Sequence, residues 1–235
     1  MLTRARDAGV ERIMTIGTDL GTSRAARSVA ERYGLDYAIG VHPHEAKDAP
    51  EDLPGAFDRF LAESAKAPLA IGEIGLDYYY DHSPREHQQQ VLATQLRYAI
   101  ARKMPVVFHQ RDAFEDFVAI LRAEAPGGIR GVVHCFTGGP EHARILVDDF
   151  GLKLGIGGVL TFKAAQELRD AVVAVGLEHL ILETDCPYLA PVPHRGKRNE
   201  PAFVTATANM LAETLGLSAH EVASRTMETA TALFG

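Results

Sequence analysis

Seven short apolar runs recur along this chain, and each is followed by a segment of helical periodicity. The runs cover residues 11–18, 36–44, 69–80, 105–113, 131–139, 153–160 and 180–190. Residues 1–9 read as the end of a helix, with Gly9 as its terminator. Helical patterns then cover 22–33, closed by Gly34, and 53–66, with Phe57, Phe60 and Leu61 on one face. The next helix begins with Ser83 as N-cap, Pro84 in the first turn and Glu86 closing a capping box, and runs to about residue 103. Asp112 would cap the helix that carries Phe114, Phe117, Val118 and Leu121. Further helices follow over 140–150 and 163–175. Two more close the chain, the last opened by Ser218 and Glu221 as a second capping box. No linker, low-complexity tract or shift of composition interrupts this alternation, so residues 1–235 are expected to form one α/β domain on a parallel sheet.

A (β/α) barrel and a doubly wound sheet both fit such an alternation, and the positions of the polar residues decide between them. His42, Glu73, His109, His134 and Asp185 stand at or near the C-terminal ends of five different predicted strands. Barrels gather chemistry at that end of many strands. No glycine-rich phosphate fingerprint follows the first strand, which disfavours a dinucleotide fold. The expected architecture is therefore a TIM-type (β/α) barrel with seven readable strands. The glycines in 153–160 mark a strand of close backbone approach.

Residues 69–80, LAIGEIGLDYYY, raise the chemical question. Glu73 lies between Gly72 and Gly75 in a run apolar enough for burial on both faces. Burying a carboxylate costs several kcal/mol unless it is paired, hydrogen-bonded or bound to a metal. The other strand ends can supply its partners. One Glu, two His and one Asp are what a hard or borderline divalent cation takes from a protein, which makes Glu73, His109, His134 and Asp185 candidate metal ligands. Taken singly, each has a plainer reading: a hydrogen-bonded core histidine, or a turn cap for Asp185. Asp185, close to Glu183 in LETDCPYL, suits a metal ligand or a general base. Cys135 and Cys186 read as small buried hydrophobes beside these positions, since neither has its own His and Asn arrangement. The basic run from His194 to Asn199 reads equally as a solvated loop or as a phosphate contact.

Composition narrows the remaining classes. With 24 basic and 31 acidic residues the net charge is −7, so any phosphate recognition has to be local. Two cysteines and no signal peptide point to a reducing, cytoplasmic setting. No apolar run is long enough to span a membrane.

Five segments, IGEIGLDYYYD, PVVFHQRDA, GVVHCFTG, LETDCPYLAP and HRGKRNEP, occur in an order that resembles the TatD family of metal-dependent deoxyribonucleases, among the amidohydrolase-like TIM barrels. The resemblance covers essentially the whole chain. It implies a monomeric hydrolase with two divalent ions, typically Mg²⁺ with Mn²⁺ or Zn²⁺ as alternatives, cutting phosphodiester bonds of single-stranded DNA or DNA ends from 3′ to 5′. It implies that Glu73 bridges the two ions, that His109 and His134 hold the second, and that Asp185 holds the first and orients water. Glu73 and Asp185 are then the catalytic pair, while His42, His44, Arg111, His194 and Arg195 face substrate. Family members also begin with a strand ending in His-x-His, which supplies two ligands to the first ion. This sequence opens at the helix expected to follow that strand, so the resemblance implies a missing first strand and an incomplete first metal site, from an internal start or a truncation. Thr229 stands where family members often carry Asn. Two other readings keep the fold: an ester or amide hydrolase such as an aminoacyl-tRNA deacylase, and a barrel that binds nucleic acid without catalysis.

Overall fold

The computed structural model describes residues 1–235. In chain order the elements are α1 (Leu2–Asp7), β1 (Met14–Ile16), α2 (Leu20–Tyr33), β2 (Asp36–Ile39), a 3-10 segment (Pro43–Asp48), α3 (Leu53–Ala62), β3 (Ala70–Asp77), α4 (Arg85–Arg102), β4 (Val106–Arg111) and α5 (Phe114–Glu124). They continue with β5 (Gly131–Val133), α6 (Pro140–Arg144) running into a π turn (Ile145–Asp149), β6 (Lys153–Ile156), a 3-10 turn (Gly158–Thr161), α7 (Gln166–Val175), β7 (Leu180–Leu182), α8 (Val204–Leu215) and α9 (Ala219–Phe234). The chain divides into an N-terminal unit, essentially residues 12–131, and a C-terminal unit of residues 1–11 and 132–233.

Within the N-terminal unit β1 to β4 are parallel and follow chain order, with Met14 opposite Asp36, Ala38 opposite Ala70 and Ile74 opposite Phe108. Within the C-terminal unit β5 to β7 do the same, with Val133 opposite Leu154 and Ile156 opposite Leu182. Seven parallel strands in chain order, alternating with helices, are the TIM-type (β/α) fold expected from the sequence. β3 is buried along nearly its whole length. Ile71, Ile74 and Leu76 are fully buried, as are Phe57 on α3, Leu92 and Leu96 on α4, and Phe108 on β4. Phe108 meets Phe117 edge-on at 5.3 Å between ring centroids. The C-terminal unit has its own core, with Leu146, Leu154, Ile156, Val172, Leu180 and Leu211 buried.

Helix α2 ends as expected on Gly34, in the left-handed region at φ 69°, and Ser218 accepts from the Glu221 N–H at the start of α9. Other local expectations are corrected. β2 stops at Ile39 rather than reaching His44: the Gln95 side chain takes both backbone groups of Val41, at 2.8 and 3.0 Å, and from Pro43 the chain coils into a 3-10 segment capped by His42. Ser83 does not cap α4, whose N-cap is Pro84 with no side-chain bond. Its hydroxyl instead donates to the His44 carbonyl at 2.8 Å and accepts from the Lys47 N–H at 3.1 Å. Asp112 likewise makes no cap for α5, which starts after Ala113, and sits at φ 53°. At Ser83 a tertiary contact outweighs a local sequence pattern. No helix is long and apolar enough to cross a membrane.

Candidate metal centre

β3 carries two carboxylates four residues apart, Glu73 and Asp77, and strand periodicity sends both side chains to one face. β4 runs beside it with His109 opposite Gly75. That glycine is required. It sits at φ 154°, and a Cβ there would lie 1.8 Å from the His109 carbonyl oxygen. The close approach delivers the His109 ring between the two carboxylates: Nδ1 is 2.9 Å from Glu73 Oε1, and Nε2 is 3.0 Å from Asp77 Oδ2.

Asp77 is the hub of this arrangement. Its side chain is 1% exposed, and Oδ2 also meets His44 Nε2 at 3.0 Å while Oδ1 accepts the backbone N–H groups of Tyr79 and Tyr80. Burial alone would raise the Asp77 carboxyl, but hydrogen bonds from His109, the Tyr80 amide and His44 outweigh it and hold the group well below the usual carboxylate range. His109 shows the converse balance. Burial disfavours its charged form, yet the bonds to Asp77 and Glu73 raise it overall.

His42 completes a group of three potential donors, with Glu73 and His109, whose ligand atoms all lie within 4.8 Å of one another. Burial pushes its imidazole down to about 3, so it is neutral at physiological pH. The tautomer follows from the hydrogen bonds. His42 Nδ1 accepts the His44 backbone N–H at 3.2 Å, so the ring proton belongs on Nε2, which faces Glu73 Oε1 at 3.8 Å. A ring in that state offers Nε2–H as a hydrogen-bond donor.

The C-terminal unit builds a second histidine on the same plan. His134 follows β5, with Nδ1 2.9 Å from Glu183 Oε2, and the other Glu183 oxygen accepts the Cys135 N–H at 2.7 Å. Glu183 reaches these groups past Gly155 of β6, where a Cβ would lie 2.2 Å from Oε2. The approach at Gly155 is by a side chain, whereas the expected backbone approach is found just beyond the strand, at Gly158, where a Cβ would lie 2.4 Å from the Leu189 carbonyl oxygen. His134 Nε2 then lies 3.7 Å from Asp185 Oδ1, and the Asp185 side chain is 36% exposed. A carboxylate on Nδ1 fixes the tautomer that presents Nε2 to a cation. Both units thus offer nitrogen and carboxylate donors of the kind divalent ions take.

The remaining sequence candidates fall as follows. Arg111 lies over the rings of Tyr79 and Tyr80, at 3.9 and 4.8 Å. His194 stacks on Phe203 at 3.8 Å, and Arg195 covers Phe162 at 4.0 Å. Cys186 is exposed and not the buried hydrophobe expected of it, while Cys135 is half-buried. Two functional carboxylates escaped the sequence reading, Asp77 and Glu183. Their signal was spacing: Asp77 shares a strand face with Glu73, and Glu183 stands two residues before Asp185.

A family model described as TatD related DNase matches residues 1–235. A protein named uncharacterized metal-dependent hydrolase YabD, from Bacillus subtilis, is 41% identical over 236 residues, spanning 100% of this chain and 91% of the relative. A protein named 3′-5′ ssDNA/RNA exonuclease TatD, from Pantoea vagans, is 36% identical over 241 residues, spanning 100% of this chain and 92% of its own. Among solved structures, YjjV, a TatD homolog from Escherichia coli K12, superposes with a TM-score of 0.91 at 30% identity, covering 99% of this chain and 90% of that one.

Proposed function

The chain belongs to the family of TatD related DNases, whose members here are metal-dependent hydrolases, and from that membership we propose a 3′-to-5′ exonuclease acting on single-stranded DNA or RNA. The substrate and direction rest on the activity named for the Pantoea relative. The observation that carries the metal chemistry is the His109 ring between two carboxylates on one strand, with Nδ1 2.9 Å from Glu73 Oε1 and Nε2 3.0 Å from Asp77 Oδ2. In the N-terminal unit Glu73 and His109 are the proposed ligands. In the C-terminal unit His134 and Asp185 are the proposed ligands, with Asp185 also suited to accept a proton from water. Divalent ions bound by such donors lower the pKa of water and neutralise phosphate charge.

The chain's other residues act around these. Asp77 and Glu183 fix the ring orientations of His109 and His134. His42 offers its Nε2–H to a substrate oxygen, and His44, tied to Asp77, is placed for the same role. Arg111, His194 and Arg195 are proposed contacts to the polymer. A protein of net charge −7 steers weakly toward DNA at long range, so these local groups carry recognition. The proposed setting is the cytoplasm and the proposed state a monomer with Mg²⁺ or Mn²⁺.

The test is nucleotide release from a 3′-labelled single-stranded oligomer with Mg²⁺ or Mn²⁺, for the wild-type chain and Glu73→Ala. Metal-dependent release that vanishes in the variant supports the reading. A folded wild-type protein that releases no label, with DNA or RNA, overturns it.

A further inference from the structure

Two large aromatic side chains stand in solvent immediately after the metal-centre carboxylate Asp77. Tyr79 is 57% exposed and Tyr80 50%. Exposing adjacent aromatics wastes the burial that normally fixes such residues, so something has to occupy them or hold them. The structure holds them from behind. Their backbone N–H groups both bond to Asp77 Oδ1, at 3.0 and 2.9 Å, and the Arg111 guanidinium lies over both rings. Arg111 has no carboxylate partner, so its charge is available to the two rings and to an anion. Tyr80 also stacks nearly parallel to His82, with 10° between the ring planes.

The same residues are tied to the metal centre. Successive ring contacts of 4.5 Å (His109 to His42), 4.4 Å (His42 to His44) and 5.5 Å (His44 to Tyr80) lead from a proposed ligand to the exposed pair. Asp77 bonds His109 and His44 with one oxygen and both tyrosine amides with the other. A ligand resting on the tyrosines would therefore be held in fixed register with the group that binds at Glu73 and His109.

Exposed rings set edge to face, 4.8 Å apart with 89° between their planes, and an unpaired guanidinium against both match one ligand chemistry: a planar base that stacks on one ring and abuts the other, attached to a phosphate. We propose that Tyr79, Tyr80 and Arg111 form a stacking platform for a nucleobase of the single-stranded substrate, next to the phosphate held at the metal centre. This rests on the nuclease reading above. Every base has a π face, so the platform grips the strand without regard to sequence, and it favours single strands because paired bases cannot reach it. Stacking uses the ring faces and neither tyrosine hydroxyl. Phenylalanine at both positions should serve as well, and leucine should not.

The test is binding, with Mg²⁺ present, of a hydrolysis-resistant phosphorothioate oligothymidylate bearing one 2-aminopurine, and of the matching oligomer with abasic sites. The readouts are 2-aminopurine fluorescence and tyrosine fluorescence, the latter usable because the chain has no tryptophan. The wild-type protein should quench 2-aminopurine and prefer the base-bearing oligomer. The Tyr79→Leu/Tyr80→Leu variant should lose about tenfold or more in affinity for that oligomer, with no change for the abasic one, while Tyr79→Phe/Tyr80→Phe stays near wild type. Both positions are exposed, so unchanged thermal unfolding verifies that the variants fold. Equal wild-type affinity for the two oligomers, or leucine variants that bind as wild type does, overturns the platform and leaves the nuclease reading standing. Failure of the wild-type protein to bind either oligomer overturns both.

Discussion

Both units of this protein build a histidine braced by a carboxylate, but they enclose it differently. In the N-terminal unit the His109 ring has a carboxylate on each nitrogen, and Asp77 beside it is 1% exposed. In the C-terminal unit Glu183 braces His134 at Nδ1, and Asp185, 3.7 Å from Nε2, is 36% exposed. Water can hydrate Asp185 whether or not a cation is bound. Glu73 and Asp77 have little water, so their charges must be balanced within the protein, by the raised proton affinity of His109 or by a metal ion. The same device is thus structural as well as chemical in one unit, and mainly chemical in the other.

The sharpest test of that difference is Glu73→Ala. Removing a proposed ligand should lower nucleotide release by about a thousandfold or more, and should abolish the rise in melting temperature that Mn²⁺ or Mg²⁺ produces. Asp185→Asn should lower release by a similar or smaller factor while leaving the metal-free melting temperature within about 2 °C, since its side chain is partly hydrated. A large loss of metal-free stability in Asp185→Asn would erase the proposed contrast.

The two bracing carboxylates come next. Asp77→Asn and Glu183→Gln are each expected to weaken metal affinity about 10- to 100-fold, measured by calorimetric titration. Only Asp77→Asn should also cost about 3 kcal/mol of metal-free stability in urea unfolding, because it leaves His44, His109 and two backbone amides around a group that can no longer accept from all of them. Equal stability losses in the two variants would show that enclosure is not what separates the units.

His42 bears on how much of this was legible in the sequence. The parallel order and the gathering of ligand-type residues at or beyond strand ends follow from periodicity and residue type alone. For Asp77 the sequence carries only its spacing from Glu73 on one strand face, and the side-chain geometry adds that it meets His109. Ser83 was misread because its surroundings match a helix start, while its hydroxyl is taken by the 3-10 segment that carries His44. The role of His42 depends on one backbone amide aimed at Nδ1, which no sequence pattern reports. With its proton on Nε2 it acts as a donor, so His42→Ala should lower turnover about tenfold to a hundredfold and leave metal affinity within threefold. A matching loss of metal affinity would make it a ligand instead.

Asp36 supplies the control, since this carboxylate of the N-terminal unit needs no metal. Lys66 Nζ lies 2.9 Å from one oxygen and Arg12 Nη2 2.9 Å from the other. Burial by itself raises the Asp36 carboxyl, but these two cations more than offset that and lower it overall. A carboxylate with a lowered folded pKa contributes stability that is present above its unfolded value, about 3.9, and lost as pH falls through the folded one. Asp36→Asn should therefore cost about 1 kcal/mol at pH 7, limited by screening of the two partly exposed cations, and almost nothing near pH 2. Because the balancing charges are side chains, the cost should be the same with EDTA and with Mn²⁺. The Asp77→Asn cost should change between those conditions, since a bound ion alters the charge that Asp77 and His109 have to balance. If both variants respond to metal alike, the distinction between carboxylates neutralised by the chain and carboxylates that wait for an ion fails.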